Sequence, residues 1–178
     1  MSQLPKLDLL VLLVSMTSDA FADDTQNLSR GELSATIGVV NKYIYRGGEK
    51  SDDPSVQFGL EYTHNSGIFL GYWGSTLNYD SSDANQDHGF EHDFYIGYGR
   101  VLNENWSYKS QIVSYYYQSG GTVYTKDGPD QRCTTGFEIL NDVFYKDLSL
   151  GLGVMLTDVN YANAEDVYLR AAYSYPLP

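Results

Sequence analysis

The sequence predicts an all-β protein, an antiparallel up-and-down transmembrane β-barrel with about eight visible strands, or part of a larger barrel. Apolar side chains recur at every second residue along successive segments, as in strands with one apolar face. The connections alternate between short turns and long polar loops, which is typical of barrels in the bacterial outer membrane. Aromatic residues gather near the segment ends, where rings with a polar tip favour a membrane interface.

The clearest element is a hairpin over residues 137–156, with Lys146-Asp147 as its two-residue turn. Apolar residues occupy most odd positions before this turn and every even position after it. A helix would spread the same leucines around its whole circumference, so the pattern favours strands. The predicted register pairs Tyr145 with Leu148, Val143 with Leu150 and Ile139 with Val154.

The first residues resemble a secretory signal peptide. Lys6 supplies a positive start, Leu9–Met16 an apolar run, and Ala20–Ala22 a small-x-small cleavage site. A transmembrane helix needs about 20 apolar residues, more than this run provides. The alternative is a disordered or anchoring N-terminus. The predicted divisions are a signal peptide over 1–22, a flexible segment over 23–31 and a β-barrel domain over 32–178.

The next segments are predicted as strands in chain order. Leu33 to Tyr45 forms one long strand, with Tyr43 and Tyr45 among its outward residues, and 55–62 forms the second. The third strand, Ile68 to Tyr79, is apolar on both faces. We expect its odd residues to face outward, because a two-residue turn then pairs Tyr62 with Phe69 and Phe58 with Trp73.

The later strands alternate more clearly. In the fourth strand, Phe94 and Ile96 lie on one face and Glu91 and Asp93 on the other. In the fifth strand, Ile112 lies on the face opposite to that of the odd-numbered residues. The hairpin supplies the sixth and seventh strands, and residues 167–175 the eighth. Short turns are predicted at 64–67, 102–105 and 146–147, and long polar loops at 46–54, 80–89, 118–134 and 158–166. We expect all long loops to lie at one end of the barrel and all short turns at the other.

Several segments resemble the TorF-type porin family of bacterial outer-membrane β-barrels. The similarity covers roughly residues 32–178, and its motifs include ELSATIGVV (32–40), YIYRG (43–47), DPSVQFGLEY (53–62), GIFLGYWGS (67–75), DFYIGYG (93–99), YYY (115–117) and YSYPLP (173–178). The resemblance implies an outer-membrane pore and carries no catalytic signature. Members of that family usually continue beyond the last motif, which predicts that this chain is C-terminally truncated. If eight strands instead suffice, the first strand should pair with the last.

The inner face of the predicted barrel collects charged side chains, which would be costly on the lipid side. Two interpretations stay open: salt bridges that fill a narrow barrel, and an aqueous path, since eight strands enclose little beyond their own side chains. An excess of acids predicts a preference for cations. The candidate pore-lining residues are Lys42, Glu61, Glu91, Asp93, Lys109, Glu138, Asp142, Asp166 and Arg170.

Other chemistry receives less support from the sequence. His88 and His92 lie four residues apart, but in a loop entering a strand they need not converge on a metal. Glu61, Glu91 and Asp93 could act as paired carboxylates, yet no nucleophile or histidine triad accompanies them, so no enzyme, metal or cofactor is predicted. The net charge of −12 argues against nucleic acid, and the single cysteine, Cys133, excludes an internal disulfide.

The predicted function is an outer-membrane porin for passive diffusion of small solutes or cations. Its partners are outer-membrane lipid, lipopolysaccharide and those solutes, and it reaches the outer membrane through secretion to the periplasm. One alternative is a non-conducting structural or adhesive outer-membrane barrel. The other is a secreted soluble β-protein, whose alternating faces would pack in a sandwich.

Overall fold

The computed structural model describes residues 12–18, 31–80, 85–117, 122–124 and 131–175. The predicted cleavage site, nearly all of the flexible segment and the last three residues lie outside these ranges. Every regular element in the described residues is a β-strand. The strands are β1 (Leu12–Ser18), β2 (Gly31–Val40), β3 (Tyr43–Tyr45), β4 (Gly48–Ser51), β5 (Ser55–His64), β6 (Ile68–Leu77), β7 (Gly89–Val101), β8 (Trp106–Tyr117), β9 (Thr122–Tyr124), β10 (Gln131–Cys133), β11 (Gly136–Tyr145), β12 (Leu148–Met155) and β13 (Val167–Tyr173).

Nine strands form one antiparallel sheet in the order β1-β2-β5-β6-β7-β8-β11-β12-β13. The pairs β3–β4 and β9–β10 form two small separate hairpins. Because neighbours in the large sheet follow one another along the chain, successive connections alternate between its two ends. The short turns after β5, β7 and β11 therefore share one end, and the long connections share the other. The predicted all-β antiparallel fold is confirmed. Residues 81–84 of the predicted loop over 80–89, and most of the one over 118–134, lie outside the described residues.

The large sheet is open at both edges. Strand β13 pairs only with β12, and the ladder between first and last predicted strands is absent from the described residues. The free side of β2 is covered by β1, in a register that runs from Leu12↔Val39 to Ser18↔Leu33. Strand β1 overlaps the apolar run and lies within the segment predicted to be a signal peptide. Cleavage after residue 22 would remove β1 and free the edge of β2.

The hairpin β11–β12 has the predicted register. Tyr145 pairs with Leu148, and the ladder continues through Val143↔Leu150 to Glu138↔Met155. Lys146 takes a positive φ of 51°, as a tight two-residue turn requires. On the other side, β11 pairs with β8 along its whole length. Alternation and turn length together were enough to define this part of the sheet.

The predicted register of β5 and β6 is wrong by one residue. Thr63 pairs with Phe69 and Tyr62 with Leu70, instead of Tyr62 with Phe69. The turn ends in Gly67, whose φ is 94° and whose amide donates to the His64 carbonyl oxygen at 2.9 Å. A three-residue turn with a final left-handed glycine replaces the expected two-residue turn. One extra residue reverses the faces, so Phe69, Trp73 and Leu77 point inward.

The first predicted strand also ends early. Strand β2 stops at Val40, the chain bends at Asn41 and Lys42, and the next three residues form β3. Tyr43 is consequently buried, with 7% of its surface exposed, rather than outward. It belongs to a cluster of buried side chains completed by Leu77, Val113, Tyr115 and Tyr117.

The large sheet is curved, and its two faces differ. Arg46, in the turn between β3 and β4, contacts Glu138 of β11 and Tyr168 of β13. The concave face therefore brings together strands that are distant in the sheet. No second layer covers the convex face in the described residues. Its exposed apolar side chains are Ile37, Val39, Val56, Phe58, Leu60, Ile68, Leu70, Phe94, Ile96, Ile112, Tyr116, Phe137, Ile139, Val143, Leu150, Leu152, Val167 and Leu169. Among the residues described, there is no helix long and apolar enough to cross a membrane.

Candidate functional site

The hairpin β3–β4 folds over the concave face of the sheet. Its turn is Arg46-Gly47, with φ angles of 53° and 81°, a combination typical of tight hairpin turns. The segment over 46–54, expected to be an external loop, thus contains a strand whose basic residues reach acids on distant strands. Two ion pairs accompany this placement, since Arg46 and Lys50 each end beside a buried carboxylate. We call residues 43–51 the inner hairpin.

Arg46 anchors the tip of the inner hairpin. Its Nη2 lies 2.8 and 2.7 Å from the two carboxylate oxygens of Glu138, which is 1% exposed. The Tyr115 hydroxyl donates to Glu138 Oε2 at 2.6 Å, and the Tyr45 hydroxyl lies 3.0 Å from that of Tyr115. The guanidinium also sits over the rings of Tyr45 and Tyr168, at 4.7 and 4.3 Å from their centroids. These contacts compensate a buried charge that would otherwise be unfavourable.

Burial raises the pKa of Tyr45 to about 12. Because the Tyr115 hydroxyl gives its proton to Glu138, the Tyr45 hydroxyl is the donor in its contact with Tyr115.

Lys50 anchors the base of the inner hairpin. Its Nζ lies 3.2 Å from Glu91 Oε1, and the Tyr117 hydroxyl donates to the same oxygen at 2.7 Å. Lys50 also contacts the Tyr117 hydroxyl directly. Glu91 is 2% exposed, and its second oxygen, Oε2, has no hydrogen-bond partner. A second ion pair thus fixes the inner hairpin near the long loops.

Two further ion pairs lie nearer the short turns. Lys109 Nζ is 3.2 Å from Glu61 Oε2, and Arg170 Nη2 is 2.5 Å from Asp142 Oδ1. The basic side chains are 35% and 47% exposed, so these pairs are wetter than those of Arg46 and Lys50. Ion pairs in such places are worth about 0–1 kcal/mol. They place charge along the concave face without fixing the fold.

The structure brings together most of the predicted inner-face residues but leaves two outside. Lys42 lies just before the inner hairpin and pairs with Glu49 at 2.6 Å, with both side chains exposed. Asp166 lies before β13 and accepts from the Asn163 amide at 2.7 Å. Sequence reasoning missed Arg46 and Lys50, because it assigned both to an external loop. The remaining seven predicted residues lie on the concave face: Glu61, Glu91, Asp93, Lys109, Glu138, Asp142 and Arg170.

The inner hairpin separates two cavities. The large chamber has a volume of about 520 Å³ and is lined by residues that include Trp73, Asp93 and Gln111. The small chamber, of about 360 Å³, includes Glu91 and Tyr161 and lies toward the long loops. Tyr45, Arg46 and Tyr115 line both cavities. The tip of the inner hairpin, with Arg46 and its partner Glu138, therefore lies where the two cavities meet.

The two histidines considered as metal ligands do not converge. His88 is exposed and lies 3.1 Å from Asp87. His92 sits on the convex face, where its Nδ1 is 2.8 Å from the Tyr72 hydroxyl. Among the described residues, no group of three histidine, cysteine or acidic side chains could hold a metal ion.

One comparison with known proteins is informative. The family model Gcw_chp, described as a bacterial protein of unknown function, matches residues 24–178. No curated protein and no solved structure matches the chain. The match therefore covers every strand from β2 onward, together with the whole inner hairpin.

Proposed function

The chain belongs to the Gcw_chp family of bacterial proteins, and we propose that it is an outer-membrane β-barrel for passive diffusion of small solutes or cations. The observation that carries the proposal is the inverted distribution of side chains. Ile96 and Leu70, in the middle of the sheet, are 54% and 53% exposed, whereas Glu138 and Glu91 are buried. Monomeric soluble proteins rarely expose an apolar surface this extensive. Lipid is the occupant that suits it.

Strand length supports a membrane setting. Strands β5, β6 and β11 have 10 residues each, and β8 has 12. A tilted strand of about 9–11 residues crosses a bilayer. Trp106 and Tyr145, in contact at the short-turn end with centroids 4.6 Å apart, suit the interfacial position of aromatic girdles.

The edges of the sheet can be reconciled with a barrel if the signal peptide is removed. The family match begins at residue 24, directly after the predicted cleavage at Ala22. Loss of β1 would free β2 to pair with β13 or with further strands. Barrels of this class have no free edge, because unpaired backbone groups in lipid cost several kcal/mol each. The resemblance to TorF-type porins, the long loops at one end and the short turns at the other agree with this proposal.

A second candidate is a structural outer-membrane barrel that does not conduct. The inner hairpin favours it, because the Arg46–Glu138 pair and the aromatic rings around it occupy the space between the two chambers. In this case the inner hairpin would keep the two chambers separate, and no solute could pass from one to the other. Lipopolysaccharide and outer-membrane lipid would then be the principal partners.

Conductance in a planar bilayer separates the two candidates. The purified mature protein should produce discrete current steps with a weak preference for cations. The preference is weak because Arg46 and Lys50 join Lys109 and Arg170 against five acids on the concave face: Glu61, Glu91, Asp93, Glu138 and Asp142.

Two variants show whether the current uses the concave face. Arg46→Ala should raise the single-channel conductance, because it removes the side chain between the chambers. Lys42→Ala, which removes an exposed side chain that lines neither chamber, should leave it unchanged. Inserted protein without current would support the structural barrel, and protein that stays in the aqueous phase without detergent would contradict both candidates.

A further inference from the structure

We propose that the large chamber binds a small organic cation, with Asp93 as its counter-ion and aromatic rings as its walls. The starting point is the position of Asp93 in the sheet. It pairs with Trp73 on β6 and with Tyr115 on β8, so the three side chains form one row on the concave face. Its Oδ1 is shielded from solvent and has no hydrogen-bond partner.

Asp93 is the acid of the large chamber that lacks an ion-pair partner in the described residues. The cations that line the same chamber are each committed elsewhere: Arg46 to Glu138, Lys109 to Glu61 and Arg170 to Asp142. A carboxylate oxygen that is shielded from water without a partner is unfavourable, and a bound cation would relieve it. The chamber therefore offers one carboxylate oxygen that no cation or hydrogen-bond donor of the described residues occupies.

The walls of the chamber indicate the kind of cation. Trp73, Tyr95, Tyr45, Tyr115 and Tyr168 line it together with Asp93. Aromatic faces attract ammonium groups, and rings around a cation are the usual device for holding alkylammonium ligands. The volume of about 520 Å³ suits a small molecule. Among the described residues, no group of three histidine, cysteine or acidic side chains stands here for a metal ion, and a single carboxylate supplies few of the six to eight oxygen ligands of Ca²⁺.

The inference rests on the proposed function only in assigning the cation as a solute of the pore. Binding itself can be measured without a membrane current. The reporter is Trp73, which becomes the sole tryptophan in a Trp106→Phe background, since the chain has two. Choline is a suitable probe, and 3,3-dimethylbutan-1-ol is its uncharged counterpart of the same shape.

The test titrates both probes into the protein folded in detergent and follows the fluorescence of Trp73. Choline should produce a saturable change and the alcohol none. Asp93→Asn should weaken choline binding by about tenfold or more, the loss expected for a charge-assisted contact. Asp147→Asn, which removes an acid at a short turn, should leave the affinity unchanged.

Equal responses to choline and to the alcohol in the unaltered pocket would overturn the inference, whatever the variants do. Unchanged choline affinity in a folded Asp93→Asn protein would overturn it as well. Bilayer currents measured on the same sample keep the two proposals apart. Currents without choline binding overturn the site alone, and choline binding without currents supports the site while overturning the pore.

Discussion

The convex and concave faces of the large sheet are built from the same strands but differ in exposure and in charge. Along β8, Ile112 leaves 41% of its surface exposed, while Val113, one residue further, is 4% exposed. Along β11, Ile139 is exposed and Glu138 is buried in contact with Arg46. In a soluble protein the charges would face outward and the aliphatic side chains would be covered. These exposures fit the proposed membrane setting, in which lipid covers the convex face and the charges are sheltered on the concave face.

The largest expected effect comes from removing a charge on the concave face. Glu138→Ala should lower the free energy of unfolding by about 3–5 kcal/mol, because it leaves Arg46 without its carboxylate and Tyr115 without its acceptor. Urea unfolding of the protein folded into lipid vesicles measures this change. Glu138→Gln, which loses the charge but keeps one acceptor oxygen, should lose less. A loss below about 1 kcal/mol for the alanine variant would mean that the inner hairpin is not held by this pair.

Adding a charge to the convex face should have the next largest effect. Ile112→Arg places a cation in hydrocarbon, at a cost of about 2–4 kcal/mol near mid-depth. Its neighbour Gln111 lines the large chamber, so Gln111→Arg adds the same charge on the concave face. The fraction of protein that becomes protease-resistant in lipid vesicles should fall for Ile112→Arg and stay near the original value for Gln111→Arg. Equal yields would contradict the assignment of the two faces.

A wetter ion pair on the concave face should matter least. Asp142→Ala breaks the contact with Arg170, whose side chain is 47% exposed, and should cost about 0–1 kcal/mol. The same urea unfolding experiment compares it directly with Glu138→Ala. A loss of unfolding free energy as large as that of Glu138→Ala would show that the burial of an ion pair does not determine how much it stabilises this protein.

Residues with strict alternation and a short turn could be placed from sequence. The register of β11 and β12 follows from the two-residue turn at Lys146-Asp147, and alternation put Glu91 and Glu138 on the polar face. Strand β6 could not be placed, because Phe69 and Leu70 make both of its faces apolar. Which face of β6 points inward depends only on the length of the turn that ends in Gly67. The sequence does not show whether this turn has two residues or three.

The inner hairpin could not be predicted because its anchors are distant in sequence. Arg46 and Glu138 are separated by 92 residues, and no periodic pattern links them. One local signal was available, since Arg46-Gly47 stands between two short segments that can pair as strands. Lys42 was misplaced for a related reason: alternation was extended through the bend that ends β2.

The two tryptophans offer the most direct test of the central claim, that the convex face contacts lipid. Trp106 is 42% exposed on the convex face, whereas Trp73 lines the large chamber. Each becomes the sole tryptophan when the other is changed to phenylalanine, and both variants can be folded into vesicles containing lipids brominated near the headgroups. We predict that brominated lipid strongly quenches Trp106 and leaves Trp73 nearly unaffected. Equal quenching of both tryptophans, or none of Trp106, would contradict the account.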